Sequence, residues 1–185
     1  MNWTIPGTAL VISREDAKFI PEQISSMFLG GGMVLSQVAA VTGLEPHTVQ
    51  NWVKRGFLAP PVRKRYDLEQ FCRIATINAL KNTLPLETIC KLLSFVNGQL
   101  TDSSDDVIDD QILYFMFVGL AADLGELFRS DVRDSVLDSV LSDYEEPVPG
   151  ARERIKKALS IMLTAYLSAK IRQEAENLLS TLEIS

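Results

Sequence analysis

Apolar residues recur along this chain at helical spacing, in short blocks punctuated by glycine and proline. The first block, Trp3 to Phe28, places Ile20, Ile24 and Met27 at intervals of four and three, which predicts a helix between Arg14 and Leu29. Ser13, with Asp16 three residues on, reads as its capping box, and Pro21 either disturbs its middle or starts a second piece. Gly30-Gly31-Gly32 permits unusual backbone angles and reads as a hinge.

Two short helices are expected next. In the first, Leu35 to Thr42, Ser36 is placed to cap and Gly43 to terminate. The second runs from Pro46, at home in a first turn, to Arg55, with Gly56 ending it. Val49, Trp52 and Val53 share its inward stripe, which leaves His47, Gln50, Asn51 and Lys54 on the opposite face. Those side chains are long enough, and polar enough, to read base edges and phosphates. A solvated helix face would have the same polarity. The following Ala59-Pro60-Pro61-Val62-Arg63-Lys64-Arg65-Tyr66 is too proline-rich for a helix and reads as an extended arm, its cations and tyrosine hydroxyl suited to the DNA backbone or simply to solvent.

Asp67 and Gln70 form a capping box for a third helix, with Leu68, Phe71, Ile74, Ala75, Asn78 and Ala79 on its packing side. A fourth begins near Pro85, turns Ile89, Leu92, Leu93 and Val96 inward, and ends at Asn97-Gly98. Beyond these, Thr101 to Asp106 reads as a linker, and Asp105/Asp106 and Asp109/Asp110 as solvated acids at a helix start. A helix over Val107 to Phe128, apolar on nearly every side, needs enclosure by other protein. Another over Ser130 to Asp143 directs Val132, Val136, Leu137, Val140 and Leu141 inward. The last, Ala151 to Leu182, is about 45 Å long and repeats apolar residues through Ile155, Leu159, Tyr166 and Ile171 to Ala175, Leu178, Leu179 and Leu182. The fold class expected is all-α. Its parts are an N-terminal helical segment (1–32), a helix-turn-helix domain (33–98) and a helical bundle (105–185) that dimerises or regulates.

Charge sharpens this division. Over 185 residues the net charge is -6, at first sight unsuited to a polyanion. From Lys54 to Lys81, however, seven basic residues accompany two acids, whereas from Thr101 to Gly150 thirteen acids accompany two arginines. Opposite signs in one chain imply two jobs. Cys72 and Cys90 lie far apart on apolar stripes and read as buried reduced thiols. No cofactor or metal is expected, and the acidic linker lacks the glycine and late glutamate of a calcium loop. With one histidine and no nucleophile beside a base, catalysis is not expected. Neither a secretory signal nor a membrane-length apolar run is read in the sequence, so the expectation is a cytoplasmic protein with no membrane partner.

The order of elements is informative as a whole. The run L-S-Q-V-A-A-V-T-G-L-E-P-H-T-V-Q-N-W-V-K-R-G-F-L-A-P-P (Leu35 to Pro61), then K-R-Y-D-L-E-Q-F (Lys64 to Phe71), then L-P-L-E-T-I-C-K-L-L (Leu84 to Leu93) resembles the N-terminal domain of MerR-family regulators over about a third of the chain. T-V-Q-N-W-V-K-R-G-F-L-A-P-P-V-R-K-R-Y is similar, more narrowly, to a MerR-like bacterial family catalogued as a domain of unknown function. The resemblance implies a recognition helix at Pro46 to Arg55 and a wing at Arg63 to Tyr66. It brings Ser36, Gln37, His47, Thr48, Gln50, Asn51, Lys54, Arg55, Arg63, Lys64, Arg65 and Tyr66 near double-stranded DNA, in a homodimeric transcription regulator. Where MerR proteins carry R-Y-Y-E in that helix this chain has Q-N-W-V, and its wing is short and lacks the glycine. MerR proteins also continue into a dimerisation helix and an effector site, often with metal-binding cysteines, and nothing after Asn97 matches that metal chemistry. An aromatic-rich helical half could enclose a small-molecule effector, but a packed core accounts for the same pattern. The alternative from a different class is a protein-interaction module that keeps the fold without binding DNA.

Overall fold

The computed structural model describes residues 2–98, 107–122 and 130–180. The linker at 101–106, the end of the predicted 107–128 helix and Leu182 lie outside them. The described residues are mostly helical, with two small antiparallel pairings that helical periodicity could not signal. Strand β1 (Asn2–Thr4) pairs with β2 (Val11–Ser13), Trp3 opposite Ile12. A 3-10 turn (Arg14–Phe19) and helix α1 (Ile20–Ser26) follow. Of the two readings of Pro21, the second holds, since it opens a separate helical piece, whereas the Ser13 side chain makes no cap bond. Strand β3 (Met33–Val34) leads into α2 (Leu35–Thr42) and α3 (Pro46–Lys54), and β4 (Arg65–Tyr66) returns antiparallel to β3. Helices α4 (Leu68–Leu80), α5 (Leu86–Asn97), α6 (Asp110–Ala122), α7 (Ser130–Val140) and α8 (Ala151–Ser180) complete the chain.

Helix α4 is the axis of the molecule. Its expected stripe is buried at Phe71, Ile74 and Ala75, but so are Cys72, Ile77 and Leu80 around it. The cause is that α2, α5, α6 and α8 all pack against α4. One core therefore runs without interruption from Trp3 through Val49 and Phe71 to Phe117, Leu159 and Leu167. The boundaries expected near 32 and 98 fall between elements, and the apolar interior passes straight across them.

The N-terminal hairpin is tied into this axis at its turn. Gly7 adopts φ +75, and a Cβ there would lie 1.9 Å from the Ala75 carbonyl oxygen, so only glycine permits the approach. The Asn78 amide donates to both Gly7 O and Thr42 O at 2.9 Å, Ala9 N donates to Val41 O at 2.8 Å, and the Tyr114 hydroxyl donates to Pro6 O at 2.9 Å.

In the C-terminal half, Leu137 and Leu141 are buried as expected, whereas Val140 is exposed. Ile112 on α6 is also exposed, so that helix is less enclosed than its composition suggests. Helix α8 outruns the bundle: Ile171, Ala175, Leu178 and Leu179, expected inward, are all exposed. No described helix is long and apolar enough to cross a membrane.

Candidate nucleic-acid interface

Helix α3 is held by its apolar stripe. Val49 and Trp52 are buried, Val53 packs against the core half-buried, and the helix opens on Pro46. Gly43, at φ 68, terminates α2 in the left-handed conformation and sets the turn between the two helices. The outward face then carries His47, Gln50, Asn51 and Lys54, all exposed, with Thr48 half-buried beside them. Ser36 and Gln37 are exposed in the first turn of α2. Ser36 is not the cap: Val34 occupies that position, and Gln37 Oε1 accepts from Val34 N at 2.9 Å.

The expected extended arm is instead a tight hairpin turn. Val62 bridges to Arg65, whose N–H donates to Val62 O at 2.9 Å. Between them Arg63 (φ 50) and Lys64 (φ 64) both take left-handed backbone. That is the signature of a type I′ turn, usually filled by Asn-Gly. Two adjacent cations therefore occupy the exposed tip of a short wing.

Its base is fixed at several points. Tyr66, expected to offer its hydroxyl outward, is 3% exposed, and its ring belongs to the core. Burial also pushes its hydroxyl pKa up. The alternation of β4 explains this, since Arg65 and Tyr66 must face opposite sides. Arg65 stays exposed while donating to Gly32 O at 2.7 Å. Gly32, at φ +93, would drive a Cβ to 2.6 Å from Tyr66 O, so this glycine serves close strand approach rather than a hinge.

The anticipated capping box at α4 is present, Asp67 Oδ1 accepting from Gln70 N at 2.8 Å and Gln70 Oε1 from Asp67 N at 3.1 Å. The Gln70 amide also donates to Ala59 O (3.2 Å) and Pro60 O (3.0 Å), fixing the approach to the turn. Arg55, assigned to the site by sequence, pairs with Glu87 of α5 and lies over the Phe57 ring, 4.5 Å from its centroid.

Three supporting residues were missed. Arg73 is 5% exposed, donates from Nε to Phe57 O at 3.1 Å just after α3, and pairs through Nη1 with Asp110 Oδ2 at 2.9 Å. Asn97 donates to the other oxygen of Asp110 at 2.9 Å. Asp110, expected as a solvated helix-start acid, is thus a buried charge partner. Burial raises its pKa, and Arg73 opposes that shift. The available signal was an arginine set between Cys72 and Ile74 on the packing side of its helix, where a long cation needs an acid.

Cys72 is buried and free, its thiol pKa raised chiefly by burial, while Cys90 is only half-buried. Among the described residues no cluster of three or more His, Cys, Asp or Glu could hold a metal ion.

What these elements define is a largely helical protein that exposes a polar helix face and a short cation-tipped hairpin. The chain belongs to the family described as a domain of unknown function, DUF1836, whose model matches residues 22–117. That span runs from α1 through the interface elements into α6. The chain is also similar to the uncharacterized protein YkrK of Bacillus subtilis (strain 168), 23% identical over 157 residues, which covers 78% of this chain and 67% of the relative. No solved structure matches.

Proposed function

We propose that this protein binds duplex DNA through α3 and the Arg63–Lys64 turn, and that it acts as a homodimeric transcription regulator of MerR-like design. One observation carries the reading: α3 leaves His47, Gln50, Asn51 and Lys54 exposed together, and a turn of the same domain exposes two adjacent cations at its tip. Glutamine and asparagine can each make paired hydrogen bonds to an adenine edge, and lysine and arginine neutralise phosphates whatever the sequence. The element order matches the MerR resemblance, helix, turn, helix and short wing, followed by two helices. In a homodimer the two recognition helices enter grooves about one DNA turn apart.

Fluorescence anisotropy with genomic fragments tests this. Arg63→Ala together with Lys64→Ala should weaken binding at least tenfold and lower the slope of log affinity against log salt by about 2. Asn51→Ala should instead relax sequence preference with little change in that slope. Absence of DNA affinity at low salt, or indifference to the double change, removes the proposal.

A second reading, a protein-interaction module, draws on the engagement of Arg55 with Glu87 and of Arg65 with Gly32 O, which leaves fewer cations for phosphate. A stoichiometric protein partner, together with no DNA affinity at low salt, would favour it.

A further inference from the structure

Helix α3 ends in a motif that ties its position to one residue beyond it. Gly56, at φ +74, takes left-handed backbone, and its N–H donates to Val53 O at 3.0 Å while Phe57 N–H donates to Trp52 O at 2.9 Å. This pair of bonds is the Schellman pattern of a helix C-terminus. Phe57 is therefore a fixed continuation of the helix, and whatever holds its carbonyl holds the end of α3.

Arg73 of α4 holds that carbonyl from Nε at 3.1 Å, while its Nη1 reaches Asp110 Oδ2 at 2.9 Å. Asn97, at the end of α5, donates to Asp110 Oδ1 at 2.9 Å, and all three side chains are buried. A guanidinium is a planar, rigid fork, so the direction of Nη1 dictates the direction of Nε. An acid on α6 thus aims the donor that grips the end of α3. The start of α6 is itself anchored, since Val107 N donates to Val96 O at 2.9 Å and the Tyr144 hydroxyl donates to Val107 O.

The same helix end has a second tie, Arg55 to Glu87 of α5, but those side chains are 49% and 57% exposed. An exposed pair contributes little, whereas losing one partner of a buried pair strands a charge. The buried route through Arg73 is the one that decides where α3 ends.

We propose that Asp110 is a positioning residue for α3, setting through Arg73 the seat of the helix end and so the presentation of Asn51 and Lys54, which lie exposed in its last turn. The purpose of this positioning rests on the DNA-binding reading above. Asp110 itself is buried and meets no ligand, so its effect on recognition is indirect.

Amide hydrogen exchange, followed by NMR on the full chain without DNA, tests the positioning. Asp110→Asn removes the charge and keeps the shape, and Asn97→Ala removes an anchor of Asp110 while leaving Arg73 in place. The Gly56 and Phe57 amides should exchange about tenfold faster in the first variant and about threefold faster in the second. Helix α2 is the reference, because it also packs on α4 but is tied there by Asn78. Its amides should keep their wild-type rates, whereas a general loss of core stability would speed both helices alike. With DNA, Asp110→Asn should shrink the affinity gap between preferred and altered sequences by about threefold and leave the salt slope unchanged, since no phosphate contact is removed.

Unchanged exchange at Gly56 and Phe57 in both variants, or equal acceleration in α2, would overturn the assignment. So would altered exchange with an unaltered sequence gap, which reduces Asp110 to holding the core. If Asp110→Asn does not fold, Asn97→Ala decides alone by the same criteria. A wild type without DNA affinity at low salt removes the DNA reading and the purpose drawn from it, while exchange still decides the positioning.

Discussion

Arg63 and Lys64 hold a backbone conformation that L-residues avoid at a cost of about 1–2 kcal/mol each. Glycine at the second turn position would relieve that cost while giving back part of the gain through a freer unfolded chain. Lys64→Gly should therefore stabilise the fold by about 0.5–1 kcal/mol in chemical denaturation. The same change should weaken DNA binding and lower the salt slope by about 1. A loss of stability would mean that the Lys64 side chain holds the turn together. Gains and losses moving in opposite directions separate a residue kept for its charge from one kept for its fold. The cations at this tip were legible in the sequence, but their turn was not: Arg-Lys is a poor turn signal, and Pro60-Pro61 argued for extension. Tyr66 was misplaced for a related reason. Three cations precede it, and only pairing of β4 with β3 reveals which face it takes.

At the scale of elements, the Arg73–Asp110 pair joins α4 to the start of α6, and Asn97 brings in the end of α5. Asp110→Ala should destabilise the protein by about 3–5 kcal/mol, because it leaves the Arg73 guanidinium buried without its partner. Replacing both residues by apolar ones of similar size should recover much of that loss. The pH dependence has a definite sign. Burial raises the folded Asp110 pKa above its ordinary 3.8, so the folded state holds this proton more tightly than the unfolded chain. The contribution of Asp110 to stability is then complete below 3.8 and declines as pH rises through the raised value. Measured by denaturant titration, wild-type stability relative to Asp110→Asn should fall across that window, and a rise would contradict the assignment. Helices α2 to α5 were largely readable, since their caps, Gly43, Pro46, Asp67 with Gln70 and Pro85, act within one turn of chain. The β1–β2 hairpin was not, because three-residue strands carry too few positions for an alternation to register. The Asp110 partnership was hidden because its arginine lies 37 residues away.

The molecule as a whole has one apolar interior, and the charge contrast between its halves is a surface property laid over it. Opposite local charge suggests two regions in the sequence, yet α4 packs against α2, α5, α6 and α8 alike. A fragment ending at Gly98 would leave Cys72, Ile77 and Leu80 without much of the cover that α6 and α8 supply. It should lack a cooperative thermal transition by circular dichroism, whereas the full chain should unfold in one step. A sharp transition in the fragment would show that the helix-turn-helix segment is self-sufficient. The exposed end of α8 escaped the periodicity argument because a repeating pattern announces an apolar face without saying where the cover stops. The anchoring of the hairpin has a consequence at this scale. Tyr66 is sunk into the interior on one side of the turn, and Gln70 grips Ala59 and Pro60 on the other, so the cationic tip is held as a stiff post rather than a swinging arm. Were the turn to meet a duplex as proposed, the visitor and not the post would have to adjust, and selectivity would then arise from the stiffness of the visitor as much as from the groups it displays.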